Sequence, residues 1–125
     1  MRGSLFDASA IINCVWLGKT EKLLGKGTIE LARFELGNYA WKRRDLKIED
    51  RLKVFERLLE LVEMMELLDF DARKAFLLAS EENLTFYDAC YLQAAIDNEL
   101  RLVTDDSKLK KVARKYVGVK VSWEV

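Results

Sequence analysis

Histidine and proline are both missing from this chain, and cysteine occurs only twice, at Cys14 and Cys90. Without histidine there is no imidazole base, no Ser-His-Asp triad and no histidine metal ligand. Two cysteines are too few for a zinc cluster or a disulfide scaffold, so both are expected as buried helix residues in a reducing compartment. Without proline, every turn has to come from Gly, Asn, Asp and Ser. A net charge is missing too, because 21 Lys and Arg balance 21 Asp and Glu over 125 residues. That excludes a strongly basic nucleic-acid coat, so any bound polyanion must be held by a local patch or through metal ions. Apolar runs extend only a few residues, too short to span a bilayer. Asp7 interrupts the apolar opening, which argues against a secretory leader and for a cytoplasmic protein. The chemistry left open uses carboxylates, hydroxyls, amides and amines.

Half of the residues are apolar and 34% are charged, the balance of a soluble globular protein. The length suits one domain over residues 1–125. Short apolar runs at 4–6, 28–29, 66–70, 100–104 and 119–123 read as strands. Between them lie helical patterns. Residues 8–24 place Ile11, Ile12, Val15 and Trp16 on one side, and 31–44 space Leu31, Phe34, Asn38 and Trp41 by three and four. Residues 48–65 form the clearest helix, with Leu52, Phe55, Leu58, Leu59 and Val62 as its stripe. Asp71 can cap a helix to 82 with Ala75, Phe76, Leu78 and Ala79 inward, and Asn83 can stop it. Thr85 opens a helix to 98, and 105–116 carries Leu109, Val112, Ala113 and Tyr116 on one face. Strands alternating with helices predict an α/β domain with a parallel sheet of four to five short strands and helices on both faces. Sites in such domains form beyond the carboxyl ends of the strands, where the strand order reverses.

Four acids stand at positions of that kind. Asp7 follows the first strand, Glu35 lies one turn before Asn38, Asp88 sits in the first turn after Thr85, and Asp106 follows Thr104 and Asp105. Each has a plain structural explanation. Asp7 or Ser9, and Asp105 or Asp106, can be helix caps; Thr85 to Asp88 fits a capping box; Glu35 can be an exposed helix residue. Together they are harder to dismiss, because clustered anions repel by about 4 kcal/mol per close pair at an effective dielectric of 20. Such a cluster makes sense around Mg²⁺ or Mn²⁺, which prefer oxygen ligands.

Four strings carry a resemblance to a known family: Leu5-Phe6-Asp7-Ala8-Ser9-Ala10-Ile11-Ile12, Glu30-Leu31-Ala32-Arg33-Phe34-Glu35-Leu36-Gly37-Asn38, Leu84-Thr85-Phe86-Tyr87-Asp88-Ala89-Cys90-Tyr91, and Leu102-Val103-Thr104-Asp105-Asp106-Ser107-Lys108-Leu109. In order and spacing the chain resembles PIN domains, and most closely the VapC-type toxin ribonucleases. The resemblance implies a three-layer α/β/α sandwich and metal-dependent endoribonuclease activity on single-stranded RNA. It makes Asp7, Glu35, Asp88 and Asp106 the catalytic, metal-holding quartet. The Thr-x-Asp spacing selects Asp106 over Asp105, although Asp105 could take a share of the metal. Ser9 and Thr104 become candidate hydroxyl partners, and Asn38 could orient a carboxylate or a water. A homodimer and a cognate VapB-type antitoxin are implied as well, the latter expected around Ile12, Trp16 and the stripe from Leu52 to Val62.

RNA also needs a track. Trp41-Lys42-Arg43-Arg44 is one candidate and Lys108, with the basic residues of the last helix, is another. Trp41 itself fits the helix stripe and is expected in the core. Other readings are a housekeeping RNA-processing nuclease, a PIN-like module that only binds partners, and a receiver-like phosphoacceptor domain. The last would need adjacent acids after the first strand, where this chain has only Asp7.

Overall fold

Leu5 and Phe6 are neighbours in the first strand and point to opposite faces of a sheet, and that alternation divides the protein into its layers. The computed structural model describes residues 3–125. Its strands are β1 Ser4–Phe6, β2 Gly27–Thr28, β3 Glu66–Leu67, β4 Arg101–Val103 and β5 Val119–Lys120. Its helices are α1 Ala8–Trp16, α2 Leu31–Trp41, α3 Ile48–Glu63, α4 Ala72–Glu82, α5 Phe86–Asp97 and α6 Ser107–Ala113. The five strands are all parallel, in the order β3-β2-β1-β4-β5. Leu5 and Leu102 pair across β1 and β4 and pack against α4, α5 and α6 through residues such as Ala75, Leu92 and Leu109. Phe6 and Val103 form the next pair and pack against α1, α2 and α3 through Ile11, Leu36 and Val62. The result is the expected three-layer α/β/α sandwich with five strands.

The order of the strands fixes where a site can form. The chain runs outward from β1 through β2 to β3, then returns to the other side of β1 for β4 and β5. The reversal lies between β1 and β4, so the crevice opens beyond Phe6 and Val103.

Several elements are shorter than their sequence patterns suggest, each for a local reason. The first helix stops at Trp16 because Gly18 takes a left-handed φ of +70°, with its N–H on Val15 O and that of Lys19 on Cys14 O. A separate 3₁₀ turn, Thr20–Leu23, follows. The last strand ends at Lys120, and the chain curls into a 3₁₀ turn, Ser122–Glu124, rather than extending to Trp123.

Four aromatics assigned inward by their spacing point outward instead: Trp16, Phe34, Trp41 and Phe76 are all more than half exposed. In α2 the buried row is Ala32, Leu36 and Ala40, spaced by four. Small side chains let the helix approach its neighbours closely, and Gly37 does the same against Phe55, whose ring lies 3.2 Å from the position of a Cβ. The row of Phe34 and Trp41 is thereby turned to solvent. Leu52, at the start of the α3 stripe, is exposed as well, while Leu58 and Val62 are buried. Tyr116 lies beyond α6, where its hydroxyl donates to Glu82. Cys14 and Cys90 are buried and free, as expected.

Asn83 ends α4 in the left-handed region at φ 54°. Glycine adopts that conformation without steric penalty. Asn83→Gly should therefore raise the urea midpoint, by about 0.5 kcal/mol of stability, and Asn83→Val should lower it by about 1 kcal/mol.

Candidate active site

Asp7 lies immediately beyond β1 and caps α1, accepting the Ala10 N–H at 2.9 Å. Only 3% of it is exposed. A buried carboxylate needs donors, and two hydroxyls supply them. Ser9 Oγ donates to Oδ1 at 2.7 Å, and Thr104 Oγ1 donates to Oδ2 in a short bond. Each hydroxyl is in turn held from the end of β4. The Asp105 N–H donates to Ser9 Oγ and the Asp106 N–H to Thr104 Oγ1, both at 3.1 Å. Two successive peptide groups thus grip the two oxygens of one carboxylate through two hydroxyls.

Glu35 stands midway along α2. Its Oε1 accepts the hydroxyl of Tyr91 at 2.7 Å. Tyr91 is buried on α5, one turn after Asp88, so α2 and α5 are tied at the mouth of the crevice. Tyr91 lies in the Asp88 string, and its role at the site shows only in the fold. Its spacing of three from Asp88 on a helix was the available signal.

Asp88 occupies the first turn of α5, whose cap Thr85 accepts the Asp88 N–H at 3.2 Å. Asp106 caps α6 by accepting the Leu109 N–H at 2.8 Å. The capping roles are therefore real, and they coexist with mutual proximity. Burial pushes the Asp7 carboxyl up to about 7 against the pull of Thr104, Ser9 and Ala10, and the charge of Asp88 pushes the same way. Asp88 is raised first by burial, then by the charges of Asp106 and Glu35, with Lys108 opposing. Burial, then the charge and hydrogen bond of Glu35, raise Tyr91, which keeps its proton and donates it.

Asp105 is arranged differently. Its Oδ2 accepts Asn13 Nδ2 at 2.6 Å and its Oδ1 accepts the Ser122 N–H at 2.7 Å. Both oxygens are committed to joining α1 and the carboxyl-terminal turn. Asn38 is exposed on α2, and no hydrogen bond joins its side chain to Glu35 among the described residues.

Of the basic candidates, Lys108 is exposed on α6 and its charge acts on Asp88, while the others stand at and beyond the end of α2. Lys42 is exposed at the end of α2, Arg43 pairs with Asp45 at 2.8 Å, and Arg44 lies 4.3 Å from the Trp41 ring centroid. Trp41 is thus a surface residue, not a core one.

Asp7, Glu35, Asp88 and Asp106 could together hold a hard divalent cation. The donor set is all oxygen, the charges repel, and Asp7 Oδ2, which accepts from Thr104 alone, retains acceptor capacity, whereas Oδ1 already accepts from both Ser9 and Ala10. Among the described residues no group of three acids already converges tightly enough to enclose an ion. The side chains of Glu35, Asp88 and Asp106, which are less buried than Asp7, are the ones with room to move inward.

The buried acid has a measurable consequence. The Asp7 carboxyl has an ordinary value of 3.8 and a folded value of about 7, so the folded state holds an extra proton between those limits. Stability of the metal-free protein should fall as pH rises from about 4 to about 7 and level off above. Asp7→Asn should remove that slope. Its melting temperature should exceed that of the parent by roughly 15 °C at pH 8, and the difference should vanish by about pH 4. Calorimetry in the presence of chelator measures both.

The PIN domain family matches residues 5–115 of the chain. Exonuclease VapC9 of Pyrobaculum aerophilum is 32% identical over 111 residues, which span 84% of this chain and 81% of that protein. A crystal structure of a Pyrobaculum aerophilum protein superimposes with a TM-score of 0.81 at 28% identity, covering 98% of this chain and 91% of the other. VapBC2 of Rickettsia felis, solved with a promoter DNA fragment, shares the fold at a TM-score of 0.65 and 15% identity, over 94% and 97% of the two chains. The parallel sheet with its reversal between β1 and β4, the acids at that reversal and these likenesses agree: the chain belongs to the PIN domain family, among its VapC-type nucleases.

Proposed function

We propose that this protein is a metal-dependent endoribonuclease, the toxin of a VapBC-type pair, which cleaves single-stranded RNA by attack of water on phosphorus. The observation that supports it most is the placement of Asp7 and Asp106 on consecutive sides of the β1–β4 reversal, with Asp88 and Glu35 facing them. When bound, Mg²⁺ or Mn²⁺ would lower the pKa of a water and offset the charge on the phosphate. Asp7, Glu35, Asp88 and Asp106 would hold the ion. Ser9 and Thr104 fix the direction of both Asp7 oxygens and Tyr91 fixes one oxygen of Glu35, so inward movement of the less buried acids toward a positioned Asp7 would complete the site. In-line displacement would leave a 5′-phosphate and a 3′-hydroxyl. No histidine is required at any step.

Cleavage of RNA should need Mg²⁺ or Mn²⁺ and stop on chelation. A circular RNA separates the modes, since an endonuclease opens it and an enzyme confined to chain ends leaves it intact. Asp106→Asn should abolish most activity. Asp105→Asn should act chiefly on stability, by about 1–3 kcal/mol, because its partners are Asn13 and Ser122. Cleavage undiminished by chelator, or Asp105→Asn proving the more damaging to specific activity, would overturn the assignment.

A nuclease of this kind requires control, and a VapB-type antitoxin is the proposed partner of a homodimeric toxin. A groove of about 330 Å³ between α1, α2 and α3 suits an apolar helix from it, lined by Ile12, Val15, Trp16, Tyr39, Val54 and Leu58. Lys53 and Arg57 stand at its border and would meet acidic flanks. Co-expression with such a partner should suppress activity, and Trp16→Ala should weaken the complex at least tenfold while leaving the free nuclease active.

A further inference from the structure

We propose that the outer face of α2 is a track that guides single-stranded RNA past the carboxylates, an inference that rests on the ribonuclease reading above. Phe34, Asn38 and Trp41 are spaced by four and three, so they form one stripe, and all three are exposed. Phe34 is 68% exposed and adjoins Glu35 in sequence. Lys42 stands seven residues after Glu35, on the same side of the helix about 10 Å further along. Polar and cationic groups therefore interleave with aromatics along the same helix that brings Glu35 to the site.

The far end of the stripe is built around Trp41. Arg44 and Arg51 lie over its ring at 4.3 Å and 5.0 Å from the centroid. Arg51 is anchored by donating Nη1 to the Trp41 carbonyl at 3.0 Å, and its buried Nε has no hydrogen-bond partner. Asp45 neutralises Arg43, but among the described residues neither Arg44 nor Arg51 pairs with a carboxylate. Arg51 is committed to holding Trp41, and of the two the exposed Arg44 guanidinium over the indole is the one with N–H groups free to meet a phosphate. The near end meets a cleft of about 350 Å³ that Phe34 shares with Leu68, Phe70, Phe86 and Tyr87. Phe86 and Tyr87 immediately precede Asp88. Phe34, Phe86 and Tyr87 offer π-faces to bases at the near end, and the cations gathered on Trp41 at the far end offer a hold for phosphate.

Charge selects RNA over a second copy of this chain. A two-fold axis through the Trp41 end would bring Arg44 and Arg51 against the same guanidiniums of the other copy, which repel. A polyanion with exposed bases satisfies both components of the stripe.

The test uses the full chain carrying Asp7→Asn, so that bound RNA persists, and a fluorescent single-stranded oligoribonucleotide of mixed sequence in Mg²⁺. Affinity is read by anisotropy across a KCl series. Phe34→Ala and Trp41→Ala should each weaken binding on the order of tenfold, and Trp41→Phe should recover most of the loss. Arg44→Ala should weaken binding and reduce the slope of log K against log salt by about 0.7. Variants that fold, by circular dichroism, and bind with the parent's affinity and slope overturn the track while leaving the ribonuclease reading in place. RNA that fails to bind the parent itself overturns both. Trp41→Ala that converts a dimer to a monomer with RNA affinity intact assigns the face to self-association and overturns the track.

Discussion

The carboxylate of Asp7 is the group around which the site and much of the sheet edge are organised. It is removed from water, yet it is held by a backbone amide of α1 and by two hydroxyls whose own acceptors are filled from the end of β4. Two stretches of chain, 7–10 and 104–106, are locked by one functional group. The lock forms only if β1 and β4 are adjacent and in register, with Phe6 opposite Val103 and the Asp7 N–H on Val103 O. Sheet topology and site geometry are therefore the same constraint seen from two sides.

That arrangement carries an electrostatic cost. Burial and the charge of Asp88 hold Asp7 close to neutrality, and Asp88 is itself pressed by Asp106 and Glu35. Lys108 opposes that pressure on Asp88, and it stands on the first turn of the helix that Asp106 caps. Aligned carboxylates with so little counter-charge are destabilising in the bare protein, and they form a strong field for a cation. The same residues do structural work as caps of α1 and α6, which explains how strained charges are kept on rigid elements.

Helix α2 shows how a single element serves several demands. Its inward row of Ala32, Leu36 and Ala40 is narrow enough for close packing, and Glu35 occupies the edge that reaches Tyr91. Bulky side chains that would have been expected to fill the core are left outside because the small row already fits it. Outward aromatics at this density are uncommon on a protein surface and mark surfaces that meet partners.

The sequence by itself determined the fold class, the helix caps Asp7, Asp71 and Thr85, the stop at Asn83, and the candidate acids. These are local signals: a capping carboxylate, a left-handed residue or an apolar period acts within a few positions of itself. Gly18 was legible in principle, but the apolar period running past it masked the break in α1. Which face of α2 turned inward was not legible, because two rows of similar spacing compete and only the depth available beneath the helix chooses between them. The separate fates of Asp105 and Asp106 were decided by tertiary structure alone. Adjacent and chemically identical, they diverge because one points toward Asn13 and Ser122 and the other toward α6 and the field of Asp88. Tyr91 acquires its bond to Glu35 for the same reason, since residues 56 positions apart meet only when both helices pack on the sheet.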